Sequence, residues 1–151
     1  MTPTLGRQTG EDRDEAGEAG MIWQAAQTVA AFNLVCTGTY TSGQFMGRTE
    51  ERRPAAIVFR VDLDSGRWCS GDCTTTASIQ RVSETQIVFR QRGDIMHSQS
   101  GDMTDEGTIV NRENGELLDR ERYWLGNQMR YRMITGTCER APFSGFPARR
   151  F

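Results

Sequence analysis

A chain of 151 residues is the size of one domain, and its 36% hydrophobic and 25% charged content lies in the globular range. The formal net charge of −2 supplies no global field that would recruit nucleic acid or an acidic membrane surface. No stretch approaches the roughly 18 apolar residues that a membrane-crossing helix needs.

Residues 1–20 carry Glu11, Asp12, Asp14, Glu15 and Glu18 against Arg7 and Arg13, with no apolar run. They read as a disordered acidic tail, and as written are neither a signal peptide nor a transit peptide. Residues 21–31 place Ile22, Ala25, Ala26 and Val29 at helical spacing, which predicts a short helix packed on the domain, or alternatively a degenerate export signal. A single β domain is expected over residues 32–143, followed by a short tail over residues 144–151.

From Phe32 the period changes to two. Phe32, Leu34 and Cys36 fall on one side, with Asn33 and Thr37 among the residues on the other, as a strand with one buried face requires. Residues 38–54 are polar and glycine-spotted and predict a long loop or a ragged edge. Ile57, Phe59, Val61 and Leu63 then alternate with Arg60 and Asp62 up to the turn Asp64-Ser65-Gly66. A second hairpin is expected around Ser83-Glu84-Thr85, a third around Glu113-Asn114-Gly115, and Gly126-Asn127 joins the last two strands. Residues 117–125 also fit a helix, but the flanking Asn-Gly and Gly-Asn pairs favour a strand. Turn signals about every ten residues predict an all-β antiparallel meander of seven to eight strands, curled into a small up-and-down barrel or a lipocalin-like half barrel.

Closure of such a meander would make the first and last strands neighbours. That favours pairing Cys36 with Cys138 and, across the short Ser70-Gly71-Asp72 loop, Cys69 with Cys73. A zinc site and four free thiols stay open as alternatives. Disulfides would imply the periplasm, and free thiols the cytoplasm.

The motifs F-x-L-x-C-x-G at residues 32–38, D-L-x-x-G-x-W-C at 62–69 and N-R-x-x-G at 111–115, with the ending GTCERAPF at 136–143, resemble those of small uncharacterised β-rich proteins of alphaproteobacteria. The resemblance implies export and periplasmic disulfides, and it supplies no activity. An acidic tail stands here where an export signal would sit.

Candidate sites are few. Residues 94–106 hold the only histidine, and His97 with Asp94, Asp102, Asp105 and Glu106 is a set of side chains that could hold a divalent metal. The spacing matches no calcium loop and there is no H-x-x-x-H, so a solvated acidic loop accounts for the composition equally well. Arg60, Arg90, Arg112, Arg120, Arg122, Arg130 and Arg132, interleaved with Tyr123, Trp124 and Tyr131, could present an anion- or nucleic-acid-binding face. Asp62, Asp119 and Glu121 lie in the same strands and would neutralise it by cross-strand pairing. The lumen is expected to be lined by Ile57, Phe59, Val61, Ile87, Phe89, Met129, Tyr131 and Met133, either filled or holding one small apolar ligand. Phe143, Phe146 and Phe151 with Arg149 and Arg150 form an aromatic tail expected to cap the domain. No nucleophile motif is present. The expectation is a non-enzymatic structural or binding module without a cofactor, its partner a small apolar ligand or a protein. The alternatives are a metal-dependent enzyme using residues 94–106 and an anion or nucleic-acid binder using the arginines.

Overall fold

The computed structural model describes residues 29–93 and 105–148. Over these residues the chain forms one antiparallel sheet: β1 (Ala31–Gln44), β2 (Glu50–Asp62), β3 (Arg67–Ser70), β4 (Ala77–Ser78), β5 (Arg81–Val82), β6 (Gln86–Arg92), β7 (Asp105–Asn111), β8 (Glu116–Leu125) and β9 (Gln128–Pro142). The strand order is β4-β3-β2-β1-β9-β8-β7-β6-β5, so every sheet neighbour is a chain neighbour except β1 and β9, the two ends of the meander. Most of the expected helix lies outside the described residues; its last residue, Ala31, opens β1.

The sheet curls into a half barrel because one face is apolar along most of its strands. Directly opposed residues of an antiparallel pair share a face. Phe32, Leu34 and Cys36 of β1 therefore lie beside Val61, Phe59 and Ile57 of β2 on the inner side. Trp68, Ile87, Phe89, Val110 and Leu117 join them in one buried cluster. Although four strands separate β2 from β6 in the sheet order, Phe59 stacks on Phe89 at 5.1 Å between ring centroids, and Trp68 tilts against Phe89 at 4.9 Å. This aromatic trio draws the two ends of the sheet together.

The two ends meet in a single run. β4 pairs with β3 and β5 pairs with β6, and only Ile79 and Gln80 separate them. Ile79 N–H donates to the Gly66 carbonyl on one side, and Gln80 N–H donates to the Val88 carbonyl on the other. Residues 77–82 thus bridge the edges, which leaves less unpaired strand exposed than an open sheet would.

Three expectations are corrected. Residues 38–54 are not a long loop: β1 runs to Gln44 and β2 begins at Glu50. The polar residues that suggested a loop lie on both faces, Tyr40 and Ser42 inward and Thr39 and Thr41 outward, and threonine and tyrosine suit a strand as well as apolar residues do. Next, Met129, Tyr131 and Met133 lie on the outer face, and Arg130 and Arg132 lie on the inner one. The Cys36–Cys138 pairing fixes that parity along the whole of β9. Third, Arg90 joins Ile87 and Phe89 on the inner side, because a register shift between Val88 and Arg90 breaks the alternation of β6. Residues 117–125 are strand.

Both favoured disulfides are present, Cys36–Cys138 between β9 and β1 and Cys69–Cys73 after β3. The C-terminal tail lies along the outer face of β1 and β2. Asn33 Nδ2–H donates to Ser144 Oγ at 3.0 Å, Arg60 donates to the Gly145 carbonyl at 2.9 Å, and Phe146 lies under the Arg67 guanidinium.

Candidate functional site

The inner face has two zones. Below the facing pair Gly38 and Gly136 it is apolar; above them, Tyr40, Ile134, Asp119, Thr108 and Arg90 form one row, followed by Arg132, Glu121, Glu106 and Arg92. The bulge in β6 is what turns Arg90 inward, opposite Thr108. Arg90 donates to Thr108 Oγ1 at 2.9 Å, to Asp119 at 3.3 Å and to Glu106 at 3.4 Å, while Thr108 donates to Asp119 at 2.6 Å. Thr108 is buried, so its hydroxyl needs these partners. Arg132 pairs with Glu121 directly across the β8–β9 ladder, and this hydrogen bond raises the arginine's pKa. A cavity of about 230 Å³ opens over this network, with Tyr40 and Ile134 on its walls.

Next to it, between β3–β4 and β6–β7, lies a cleft of about 390 Å³. Trp68 and Phe89 line it on the apolar side, Ser70, Thr74, Thr75 and Ser78 offer hydroxyls, and Arg90, Arg92 and Glu106 face them. The sequence places these groups without any spacing signature, since they come from both ends of the sheet. The Cys69–Cys73 bridge restrains the wall, with Cys73 in the left-handed region at φ 52°. Trp68 Nε1–H donates to the Ser78 carbonyl at 3.3 Å, which fixes the indole in the cleft wall. Arg90 also lines the 230 Å³ cavity, so the two spaces share a residue.

The arginines expected to form one stripe are split between faces. Arg60, Arg120 and Arg122 lie outside, Arg90, Arg130 and Arg132 inside, and Arg112 sits at the β7–β8 turn, donating to the Ser83 carbonyl at 2.6 Å. Tyr131 and Trp124 lie on the outer face, where the Tyr131 hydroxyl donates to Glu50 at 2.6 Å. That hydrogen bond lowers the Glu50 pKa and raises that of Tyr131. Acids match Arg90, Arg120, Arg122 and Arg132.

Of the proposed metal set, Asp94, His97 and Asp102 lie outside the described residues. Asp105 is buried on the outer face and Arg122 Nε–H donates to both its carboxylate oxygens at 2.9 Å, with Arg120 at 3.9 Å. The Arg122 hydrogen bonds hold the Asp105 pKa below its ordinary 3.8. A carboxylate with a lowered pKa stabilises the fold above its unfolded-state value, and this contribution disappears as the pH falls through the folded-state value. Asp105→Asn should therefore cost about 2 kcal/mol at neutral pH, the worth of a charge-assisted hydrogen bond. The gap from wild type should close as the pH is taken below ~4. Urea midpoints across that range test it, and a gap independent of pH would dismiss the charged pair as the cause.

A further hollow of about 340 Å³ lies at the apolar end, floored by Phe32, Leu34, Ile87 and Val110 and rimmed by Arg112 and Arg140. Arg140 is occupied there, stacking on the Phe32 ring at 3.9 Å and donating to the Val29 carbonyl. No protein-family model, curated protein or solved structure matches the chain.

Proposed function

We propose that this half barrel is a non-enzymatic binding module that takes one small amphipathic molecule into the cleft between β3–β4 and β6–β7. The observation that carries the reading is the cleft's make-up. It has an aromatic side made by Trp68 and Phe89, a band of hydroxyls, and the exposed guanidinium of Arg92 on a volume of about 390 Å³. Small-molecule sites are usually of this size, mostly apolar, with a few fixed polar groups. Arg90 is paired with both Glu106 and Asp119, and Glu106 also lies 3.6 Å from Arg92, an arrangement that holds the polar wall of the cleft in place for a ligand. The ligand class that fits is an apolar body with a polar or anionic head. Two disulfides favour work in an oxidising compartment such as the periplasm.

The probe 8-anilinonaphthalene-1-sulfonate has that shape, and its fluorescence rises when it leaves water. The oxidised, cooperatively melting protein should bind it at one saturable site. Ala77→Trp, which fills the cleft opposite Trp68, should abolish the signal. Arg92→Gln should weaken binding about tenfold, as expected for one charged hydrogen bond of ~1.4 kcal/mol. Equal binding by Ala77→Trp at an unchanged melting temperature would place the probe elsewhere and refute the reading.

A further inference from the structure

Two hairpin ends come together at the polar end of the barrel. Phe45 N–H, just beyond β1, donates to the Met129 carbonyl at the start of β9 at 2.9 Å, so the β1–β2 and β8–β9 tips form one projection. Its apex is apolar: Met46 is 91% exposed, Phe45 61% and Leu125 56%. Trp124 and Met129 stand opposite one another just behind it. Large side chains exposed together in this way are uncommon on a monomer's surface.

The turn itself is unusual. Gly47 N–H donates to the Gln44 carbonyl at 2.8 Å, closing a four-residue turn in which Met46 sits at φ 60°. That third position of the turn favours glycine, and an unbranched apolar side chain there is strained. The most exposed large apolar residue among the described ones thus stands at a position where glycine would be easier.

The charge left without an ion pair around the apex, among the described residues, has one sign. Glu50 is paired with Arg52 and accepts from Tyr131, and Glu51 is paired with Arg53. Arg48 and Arg130 are exposed and make no ion pair among the described residues, so the projection is locally positive on a chain whose net charge is −2. An apolar apex ringed by free guanidinium groups complements a surface that is anionic outside and apolar just beneath. A convex tip suits a soft partner that closes around it, whereas a folded protein would have to provide a matching hole.

We propose that this double tip docks on an anionic phospholipid surface, with Phe45, Met46 and Leu125 entering the headgroup boundary and Arg48 and Arg130 meeting the phosphates. The proposal is independent of the cleft, and Ala77→Trp leaves the tip intact.

The test is cosedimentation of the full chain with vesicles of phosphatidylcholine alone or mixed with phosphatidylglycerol. Wild type should partition onto the mixed vesicles about tenfold better than onto the neutral ones, and added salt should reduce the difference. Arg48→Gln with Arg130→Gln should remove the preference for phosphatidylglycerol. Met46→Gly separates docking from folding. It supplies the residue the turn favours, so the melting temperature should hold or rise while partitioning falls severalfold. Wild-type partitioning by Met46→Gly, or no partitioning by wild type, overturns the proposal. So does a self-association or a protein contact that Met46→Gly abolishes without any vesicle binding by wild type.

Discussion

Opening the Cys36–Cys138 bridge should lower stability by about 4–5 kcal/mol, roughly half of what a domain this size commonly has. The bridge joins residues 102 apart and so encloses almost the whole sheet. In the chain-entropy account, a cross-link acts by restricting the unfolded chain, and its effect grows with the logarithm of the loop. Cys69–Cys73 closes a loop of separation 4, for which the same relation gives about 2 kcal/mol. The two bridges therefore form an internal comparison within one fold. Urea unfolding of the oxidised protein, of Cys69→Ala/Cys73→Ala and of Cys36→Ala/Cys138→Ala should rank in that order. Complete reduction of wild type should fall lowest, without the cavities that alanine leaves. If losing the short bridge costs as much as losing the long one, loop closure is not what these bridges contribute.

The long bridge also shows how much of the fold could be read from the residues. Its pairing follows from the meander, because a curled chain of hairpins brings its first and last strands together, and β1 does lie beside β9 with Cys36 opposite Cys138. β2 was legible from strict alternation around Phe59 and Val61. The turns at Gly66, Gly115 and Gly126 were legible because each glycine has positive φ. Alternation failed where the inner face turns polar. Tyr40 and Ser42 face inward while Thr39 and Thr41 face outward, so hydropathy shows no period over that half of β1. The same polarity put Met129, Tyr131 and Met133 on the wrong side, since arginines on β9 were expected to seek solvent and instead Arg132 meets Glu121 inside.

The cleft was illegible for a different reason. Trp68, Ala77, Phe89 and Arg92 are brought together by the curl of the sheet and by the run that bridges its edges, and neither leaves a spacing in the chain. A bulge decides whether Arg90 faces the lumen, and bulges of one residue have no reliable sequence mark where no glycine signals them. The apolar tip, by contrast, uses adjacent residues. Phe45-Met46-Gly47-Arg48 was readable as a string, but its meaning depends on the β8–β9 tip lying beside it.

Gly136→Ala should destabilise by about 3 kcal/mol or more, and Gly136→Val should prevent folding. Gly136 faces Gly38 across the β1–β9 ladder, two residues from the cysteine pair. A Cβ on Gly136 would stand 2.7 Å from the Gly38 Cα and inside the van der Waals envelope of the Thr37 carbonyl oxygen; a Cβ on Gly38 would meet the Gly136 Cα at 2.6 Å. Both obstacles are backbone, so relief requires the strands themselves to separate, which the neighbouring bridge resists. Gly126→Ala provides the contrast. That glycine has φ +65° but nothing within 4 Å, so only the backbone conformation opposes a side chain, at about 1–2 kcal/mol. Equal costs for the two alanines, read from denaturant midpoints with unchanged slopes, would mean that β1 and β9 do not approach so closely. The distinction bears on binding as well. The glycine pair lies where the apolar rows give way to Tyr40, Asp119, Thr108 and Arg90, so separating the strands there would disturb the anchorage of Arg90 beside the cleft. A cooperatively folded Gly136→Ala protein should therefore bind the naphthalene sulfonate more weakly at the cleft than wild type does.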